Sequence, residues 1–326
     1  MSAPIPGAAL VAAELAAVEK RLETESRSDV KLVIDVAHHI LGSGGKRFRP
    51  LLMLLVARLV GFKRRRELFG YAAGIEFAHT STLLHDDVVD EAEIRRGDVS
   101  ANRAFGNSAS IIVGDYLLFR SFSLMLAGKN LAIVKLMSDV ALDMAEGEAY
   151  QLLQKSRVDL TMDEYLRIIR SKTALLIEAA CQIPALAAGA TVREQKALKE
   201  FGYRLGLAFQ MIDDVLDYSA SEAEWGKKVG KDFQEGKTTL PVIYGYEAAG
   251  KAERARLKEL FKQPARSEAE FRSTLDLFRA TGALDRAQAR AHEEAEQAAA
   301  TLSIFKPGPA RAALSELARF VVSRRV

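Results

Sequence analysis

The sequence predicts an all-α fold, and three observations predict it. Only eight prolines occur in 326 residues, and none lies between Pro50 and Pro184. That long stretch is rich in Ala, Leu, Ile and Glu, which suit a helix, whereas an interior proline removes a backbone donor and clashes with the turn before it. No alternation of apolar and polar residues between hairpin turns competes with the helical spacing.

Residues 8–25 read as an amphipathic helix. The N-terminus lacks the basic start and the long apolar core of a signal peptide. Helices near 29–41 and 49–60 follow, separated by Gly42-Ser43-Gly44-Gly45. Lys63-Arg64-Arg65-Arg66 reads as a solvated loop before a helix over 66–90. Helices near 108–126, 130–155 and 162–188 come next, and Pro184 should kink or end the last of them. The helix over 193–219 leads to a second glycine-rich break, Gly226-Lys227-Lys228-Val229-Gly230. Helices near 238–248, 252–262, 267–280, 282–302 and 308–323 complete the chain; this charged last portion reads as packing. No Gly/Ser/Pro-rich linker divides the middle, so residues 1–326 are expected to form a single domain.

Bulk properties exclude several classes. A net charge of +3 with mixed signs gives no case for nucleic acid as a partner. A lone cysteine, Cys181, precludes an internal disulfide and suits a reducing cytoplasm. No uninterrupted run of about 18 apolar residues occurs, so no membrane span is expected.

The chemistry is carried by two acidic boxes, Asp86-Asp87-Val88-Val89-Asp90 and Asp213-Asp214-Val215-Leu216-Asp217. Both read DDxxD. On a helix, the first and last carboxylates of each box share a face, and like charges at that spacing repel unless cations sit between them. A lone box would pass for a solvated turn. Here Leu205 and Phe209 run at helical spacing into Asp213 and Asp217, so the carboxylates continue an apolar stripe and need partners. Oxygen-only clusters suit Mg²⁺, which keeps water and shares its shell with substrate phosphates. Two boxes could flank one diphosphate.

Cations fit the same ligand. Gly44-Gly45-Lys46-Arg47-Phe48-Arg49-Pro50 joins a flexible turn to a helix start, and arginine adds bidentate phosphate recognition. Arg95-Arg96-Gly97 follows the first box; Lys227 and Lys237 flank Asp232 beyond the second. Lys172-Thr173 lies on an amphipathic helix and is unremarkable alone. His79 lies on roughly the same helix face as Asp86 and could hydrogen-bond an oxyanion; His85 is expected to pack or bond the backbone, and His38, His39 and His292 read as structural.

Taken together, Gly-Gly-Lys-Arg-Phe-Arg-Pro, His-Asp-Asp-Val-Val-Asp with Arg-Arg-Gly, Val113-Gly114-Asp115-Tyr116, Lys-Thr, Phe-Gln-Met-Ile-Asp-Asp-Val-Leu-Asp and Gly236-Lys237-Thr238-Thr239-Leu240-Pro241 resemble the trans-isoprenyl diphosphate synthases, or polyprenyl synthetases, of the long-chain type that makes quinone side chains. The resemblance covers most of the chain. It implies an isoprenoid-synthase-type bundle of long helices around a central cavity, and a homodimer. Carried over by motif, Lys46, Arg49, His79 and Arg96 would bind isopentenyl diphosphate. Arg95, Lys172, Lys227 and Lys237 would bind an allylic diphosphate, farnesyl or geranyl, with Thr173 and Gln210 near its reacting carbon. Asp86, Asp90 and Asp213 would contact Mg²⁺, supported by Asp87, Asp214 and Asp217. Lys231 departs from the pattern, since relatives often carry an acid there.

Relatives with short products resemble one another in a bulky aromatic near position 81 or 82. Here Ser81, Thr82, Ala78 and Gly74 are small, and Gly74 is roughly 18 Å above Asp86 at the helical rise. A C40–C50 product is expected, its cavity floored near Tyr116, Phe119, Phe122 and Met125. So long a tail is insoluble in water, and peripheral membrane contact for product release is expected. Three rivals are weaker. A terpene cyclase would be expected to replace the second box, an HD-type phosphohydrolase leaves that box without work, and a non-catalytic subunit would be expected to lose acidic boxes.

Overall fold

The computed structural model describes residues 4–43, 45, 47–219 and 230–323. A 3-10 turn, Ala9–Val11, leads into α1 (Ala12–Glu25), followed by α2 (Lys31–Gly42), α3 (Phe48–Leu59) and α4 (Arg65–Val89). A two-stranded hairpin, β1 (Ile94–Arg95) and β2 (Asp98–Val99), precedes α5 (Ala101–Phe105), α6 (Asn107–Ala127) and α7 (Leu131–Gln154). Next come α8 (Met162–Ile169), one π-turn (Arg170–Ala174), α9 (Leu175–Ala188) and α10 (Val192–Ser219). The chain continues through α11 (Lys231–Glu235), α12 (Leu240–Ala248), α13 (Lys251–Lys262), α14 (Glu268–Ala280), α15 (Ala283–Thr301) and α16 (Pro309–Ser323). The all-α expectation holds.

Local chemistry sets the boundaries. Thr161 with Glu164, and Ser267 with Glu270, form reciprocal capping boxes that satisfy orphan N–H groups at the starts of α8 and α14. Thr191 and Glu194 exchange the same bonds at the start of α10. Pro241 stands in the first turn of α12, where its missing N–H costs nothing. Pro184, by contrast, neither ends nor splits α9, which runs on to a left-handed Gly189.

Helices α4 and α10 carry the two boxes and organise the packing. α6 lies along α4; α9 and α15 lie along α10. Two glycines let α9 and the π-turn approach α10. A Cβ on Gly202 would come within 2.7 Å of the Glu178 Cα, and one on Gly206 within 2.4 Å of the Ala174 Cα. Leu198, Phe201, Leu205, Ala208 and Val215 fill the buried face of α10, each large side chain there contributing about 1.5–3 kcal/mol. A separate cluster around Tyr218, Phe233, Phe261, Phe271 and Phe278 holds the last portion of the chain together.

One departure from the sequence reading concerns a short element. The hairpin was not expected; its strands are two residues each, and its turn places Arg96 and Gly97 at φ 55 and 88, the left-handed pair that a two-residue hairpin loop requires. α6 is long and apolar enough to cross a membrane by length and composition. It packs instead against α4, and its Arg120 pairs with Glu25 of α1.

Candidate active site

The first box ends α4. Asp90 caps the helix, its N–H still bonded to the Asp86 carbonyl at 2.8 Å, so Asp86 and Asp90 stack one turn apart. Asp87 points the other way and is wholly buried, accepting from Arg95 Nε at 2.8 Å. The hairpin thus places Arg95 on Asp87 and leaves Arg96, at the turn, facing a separate cavity. His85 bonds the Ile111 carbonyl at 3.2 Å, and Gly114 makes room for its ring, since a Cβ there would sit 2.3 Å from His85 Nε2.

The second box lies on α10. Asp214 accepts from Tyr165 Oη at 2.7 Å, Gln210 Nε2 at 2.9 Å and the Leu240 N–H at 3.3 Å. Burial pushes its pKa up to about 8, the nearby Asp232 adding repulsion against those hydrogen bonds. Asp217 accepts from the N–H groups of Lys231 and Asp232 at 3.3 and 3.0 Å, fixing the start of α11. Burial, then Asp232, raises Asp217 to about 7, and burial raises Asp232 itself. Asp213 is half-buried on the same helix.

Lysines reach between the boxes. Lys172 Nζ lies 3.5 Å from Asp86 Oδ2 and 3.3 Å from Glu148 Oε2. Lys237 Nζ lies 3.1 Å from Asp90 Oδ2 and 2.6 Å from Glu235 Oε2. Burial alone would raise Asp90, but Lys237 and Lys172 outweigh it and hold its carboxyl below the usual range. Lys172 and Thr173 sit in the π-turn; Lys172 reaches α4 and α7, while Thr173 Oγ1 donates to Gln210 Oε1 of α10 at 2.6 Å. Lys46 and Lys227 lie outside the described residues.

Three cavities meet these groups. A polar chamber is lined by Asp90, Glu148, Lys172, Gln210, Asp214 and Lys237, among others. An apolar cavity opens from Asp86, Glu148 and Lys172 and runs past Ala78, Ser81, Thr82, Leu118, Met137 and Val140. The third holds Arg49, His79 and Arg96 with Glu76, Phe48 and Phe209. Burial depresses Arg49 to about 10 and drives His79 well below its ordinary value, the neighbouring arginines adding to the effect on His79. Arg49 Nε is buried without a partner, as an anion-binding group awaiting its ligand would be.

The donor set fits a hard divalent cation. Among the described residues no three acidic or imidazole groups converge on one point. Asp86 and Asp90, one turn apart, offer the oxygen donors that a hard divalent cation takes together with water and phosphate oxygens. Burial raises Asp214, Asp217 and Asp232, and Asp232 adds repulsion on the other two, which a nearby cation would relieve.

The polyprenyl synthetase family profile matches residues 30–278, from α2 into α14. The chain belongs to the polyprenyl synthetase family. It is 41% identical over 315 residues to the octaprenyl diphosphate synthase of Escherichia coli K12, covering 97% of each chain. It is 37% identical over 314 residues to the all-trans-nonaprenyl-diphosphate synthase (geranyl-diphosphate specific) of Rhodobacter capsulatus, covering 96% of each. A polyprenyl synthase from Caulobacter crescentus CB15, solved with calcium and isoprenyl diphosphate, superimposes with a TM-score of 0.93 at 39% identity, over 98% of this chain and 97% of that one.

Within this polyprenyl synthetase, the cavity walls differ from the sequence reading. Ala78, Ser81 and Thr82 line the apolar cavity. Gly74 instead faces α6, where a Cβ would lie 2.7 Å from Met125 Cε and 3.3 Å from the Ser121 carbonyl. None of Tyr116, Phe119, Phe122 and Met125 lines the cavity. Phe119 is 67% exposed, and Tyr116 donates to the Arg27 carbonyl. The wall opposite α4 comes from α7, through Met137, Val140, Ala141 and Met144. Glu148, Gln151 and Tyr165 were missed as site residues. Tyr165 had a signal, lying seven residues before Lys172 on one helical face; Glu148 and Gln151 had none.

Proposed function

We propose that this polyprenyl synthetase condenses isopentenyl diphosphate head to tail onto an allylic diphosphate, farnesyl or geranyl, to give an all-trans C40–C50 polyprenyl diphosphate for a quinone side chain. One observation carries the reading: Glu148 and Lys172 line both the polar chamber and the apolar cavity. A molecule with a charged head and an apolar tail fits that pair.

The allylic diphosphate is held in the polar chamber by Lys172 and Lys237; Arg95 and Lys227 are assigned to it by motif alone. Asp86, Asp90 and Asp213 would hold Mg²⁺, with Asp87, Asp214 and Asp217 behind them; Asp214 fixes Gln210, and Asp217 fixes α11. When bound, the metal supplies positive charge against the departing diphosphate. The lysines add to it as the allylic C–O bond ionises. Thr173 and Gln210, locked to each other, present oxygen dipoles toward the cationic carbon. Isopentenyl diphosphate lies against Arg49, His79, Arg96 and Lys46, and its double bond attacks that carbon. The released diphosphate takes the proton lost in closing the new double bond. No protein nucleophile is required.

Ile112, Phe119 and Leu126 recur every seven residues on one face of α6 and are 60%, 67% and 57% exposed. Such a stripe supports a homodimer with α6 at its interface. The protein works in the cytoplasm and hands its product to a membrane. The test is incubation with farnesyl diphosphate, labelled isopentenyl diphosphate and Mg²⁺, followed by chromatography of the dephosphorylated alcohols. A dominant C40, C45 or C50 species that disappears in Asp86→Ala supports the reading; free farnesol without elongation sinks it. Liposomes added to the same assay should speed release, and indifference to lipid removes the membrane step.

A further inference from the structure

Glu76 is a buried carboxylate among arginines that face an anion site. It is 3% exposed and lines the cavity of Arg49, His79 and Arg96, three residues before His79 on α4. An uncompensated charge there would repel a diphosphate and carry a large desolvation cost. Arg47 answers it. Arg47 Nη1 lies 3.3 Å from Glu76 Oε1, its Nε donates to Glu19 Oε1 at 2.6 Å, and its Nη2 donates to the Leu41 carbonyl at 3.0 Å. One guanidinium therefore ties α1, the end of α2 and α4 together. Its backbone has φ 44, rare without glycine, so the surroundings hold it in place. The adjoining loop threads between two guanidiniums: a Cβ on Gly45 would sit 3.0 Å from Arg96 Nη1 and 3.4 Å from Arg47 Nη1.

We propose that Arg47 is a positioning residue for the isopentenyl diphosphate site: it cancels the buried charge of Glu76 and fixes the Gly45 loop so that Arg49 and His79 meet the ligand. Through Glu19, helix α1 becomes part of that site, although it lies outside the span matched by the family profile. The donors of Arg47 are taken up by protein groups, whereas Arg49 keeps a buried Nε without a partner. The inference rests on the placement of isopentenyl diphosphate in this cavity.

Steady-state kinetics with both substrates varied tests it. In Arg47→Met the KM for isopentenyl diphosphate should rise about tenfold or more, the scale of one charge-assisted pair, with the KM for farnesyl diphosphate unchanged within about twofold. Arg47→Lys, which keeps the charge, should recover part of the loss. Arg47→Met combined with Glu76→Gln should recover more, because the charge to be cancelled is gone. Glu19→Gln, on the more exposed partner, should raise the same KM alone by about threefold, and it carries the test if Arg47→Met does not fold. Equal rises in both KM values, an unchanged isopentenyl KM, or a double variant no better than Arg47→Met overturns the proposal. Wild-type protein that incorporates no isopentenyl unit instead overturns the functional reading beneath it.

Discussion

Lys237 Nζ donates to Asp90 Oδ2 at 3.1 Å, joining the segment after the second acidic box to the first box. The contact raises the lysine's pKa against its burial and holds Asp90 charged without a metal. An ammonium in that position competes with any cation that Asp90 binds. Lys237→Gln should therefore tighten Mg²⁺ binding to the substrate-free protein, by up to about tenfold, while weakening farnesyl diphosphate. Calorimetric titration of each ligand checks both signs, and weaker binding of both would contradict the competition.

Product length should answer to the walls of the apolar cavity. Ser81→Phe narrows it one turn above Asp86 and should shorten the product by several isoprene units. Met137→Ala removes bulk from the opposite wall on α7 and should lengthen it, or broaden the distribution upward. Chromatography of the alcohols reads both. Phe119→Ala, on an exposed side chain outside the cavity, should leave chain length alone.

The approach of α10 to the π-turn makes Gly206 sensitive to a single methyl. Gly206→Ala must push backbone away from Ala174, at a cost of about 1–3 kcal/mol. The same shift moves Lys172 and Thr173, and displacement of about 1 Å at such groups costs up to ~100-fold in kcat. Gly70→Ala is the control, for nothing lies within 4 Å of a Cβ there, and the helix should gain up to ~1 kcal/mol. Denaturant titration and kcat together separate the two variants.

His79 should make the protein acid-sensitive. Burial, followed by Arg49 and Arg96, holds its pKa far below the unfolded value of about 6.5. The native state therefore binds fewer protons than the unfolded chain, so this contribution to stability is lost as pH falls below about 6.5. His79→Gln should lose less stability than wild type between pH 8 and pH 5.5 in urea unfolding. An equal loss in both proteins would locate the acid sensitivity elsewhere.

The helices were legible because buried residues such as Leu198, Phe201 and Leu205 repeat at helical spacing over many turns. The hairpin was not, since two-residue strands carry no period; only Gly97 after Arg96 hinted at a turn. Lys172 and Thr173 were visible as a doublet, but the π-turn that aims them shows in sequence only as a slip in helical phase. The boxes were legible as chemistry, whereas the division of labour within them was not: that Asp87 engages Arg95 and Asp217 caps α11 depends on contacts across the fold. The wall formed by Met137 escaped the sequence for the same reason. Periodicity tells which face of a helix is apolar, not which helix it meets.

The shared border at Lys172 and Glu148 has a consequence for how length is measured. In the proposed reaction the reacting carbon stays at that border through every cycle, and each new unit enters there, behind all the earlier ones. The chain grows at its root, like a hair, and older units only slide forward. Nothing in the wall has to count them. Chain length is then a matter of distance from a fixed origin to whatever first blocks the advancing tip.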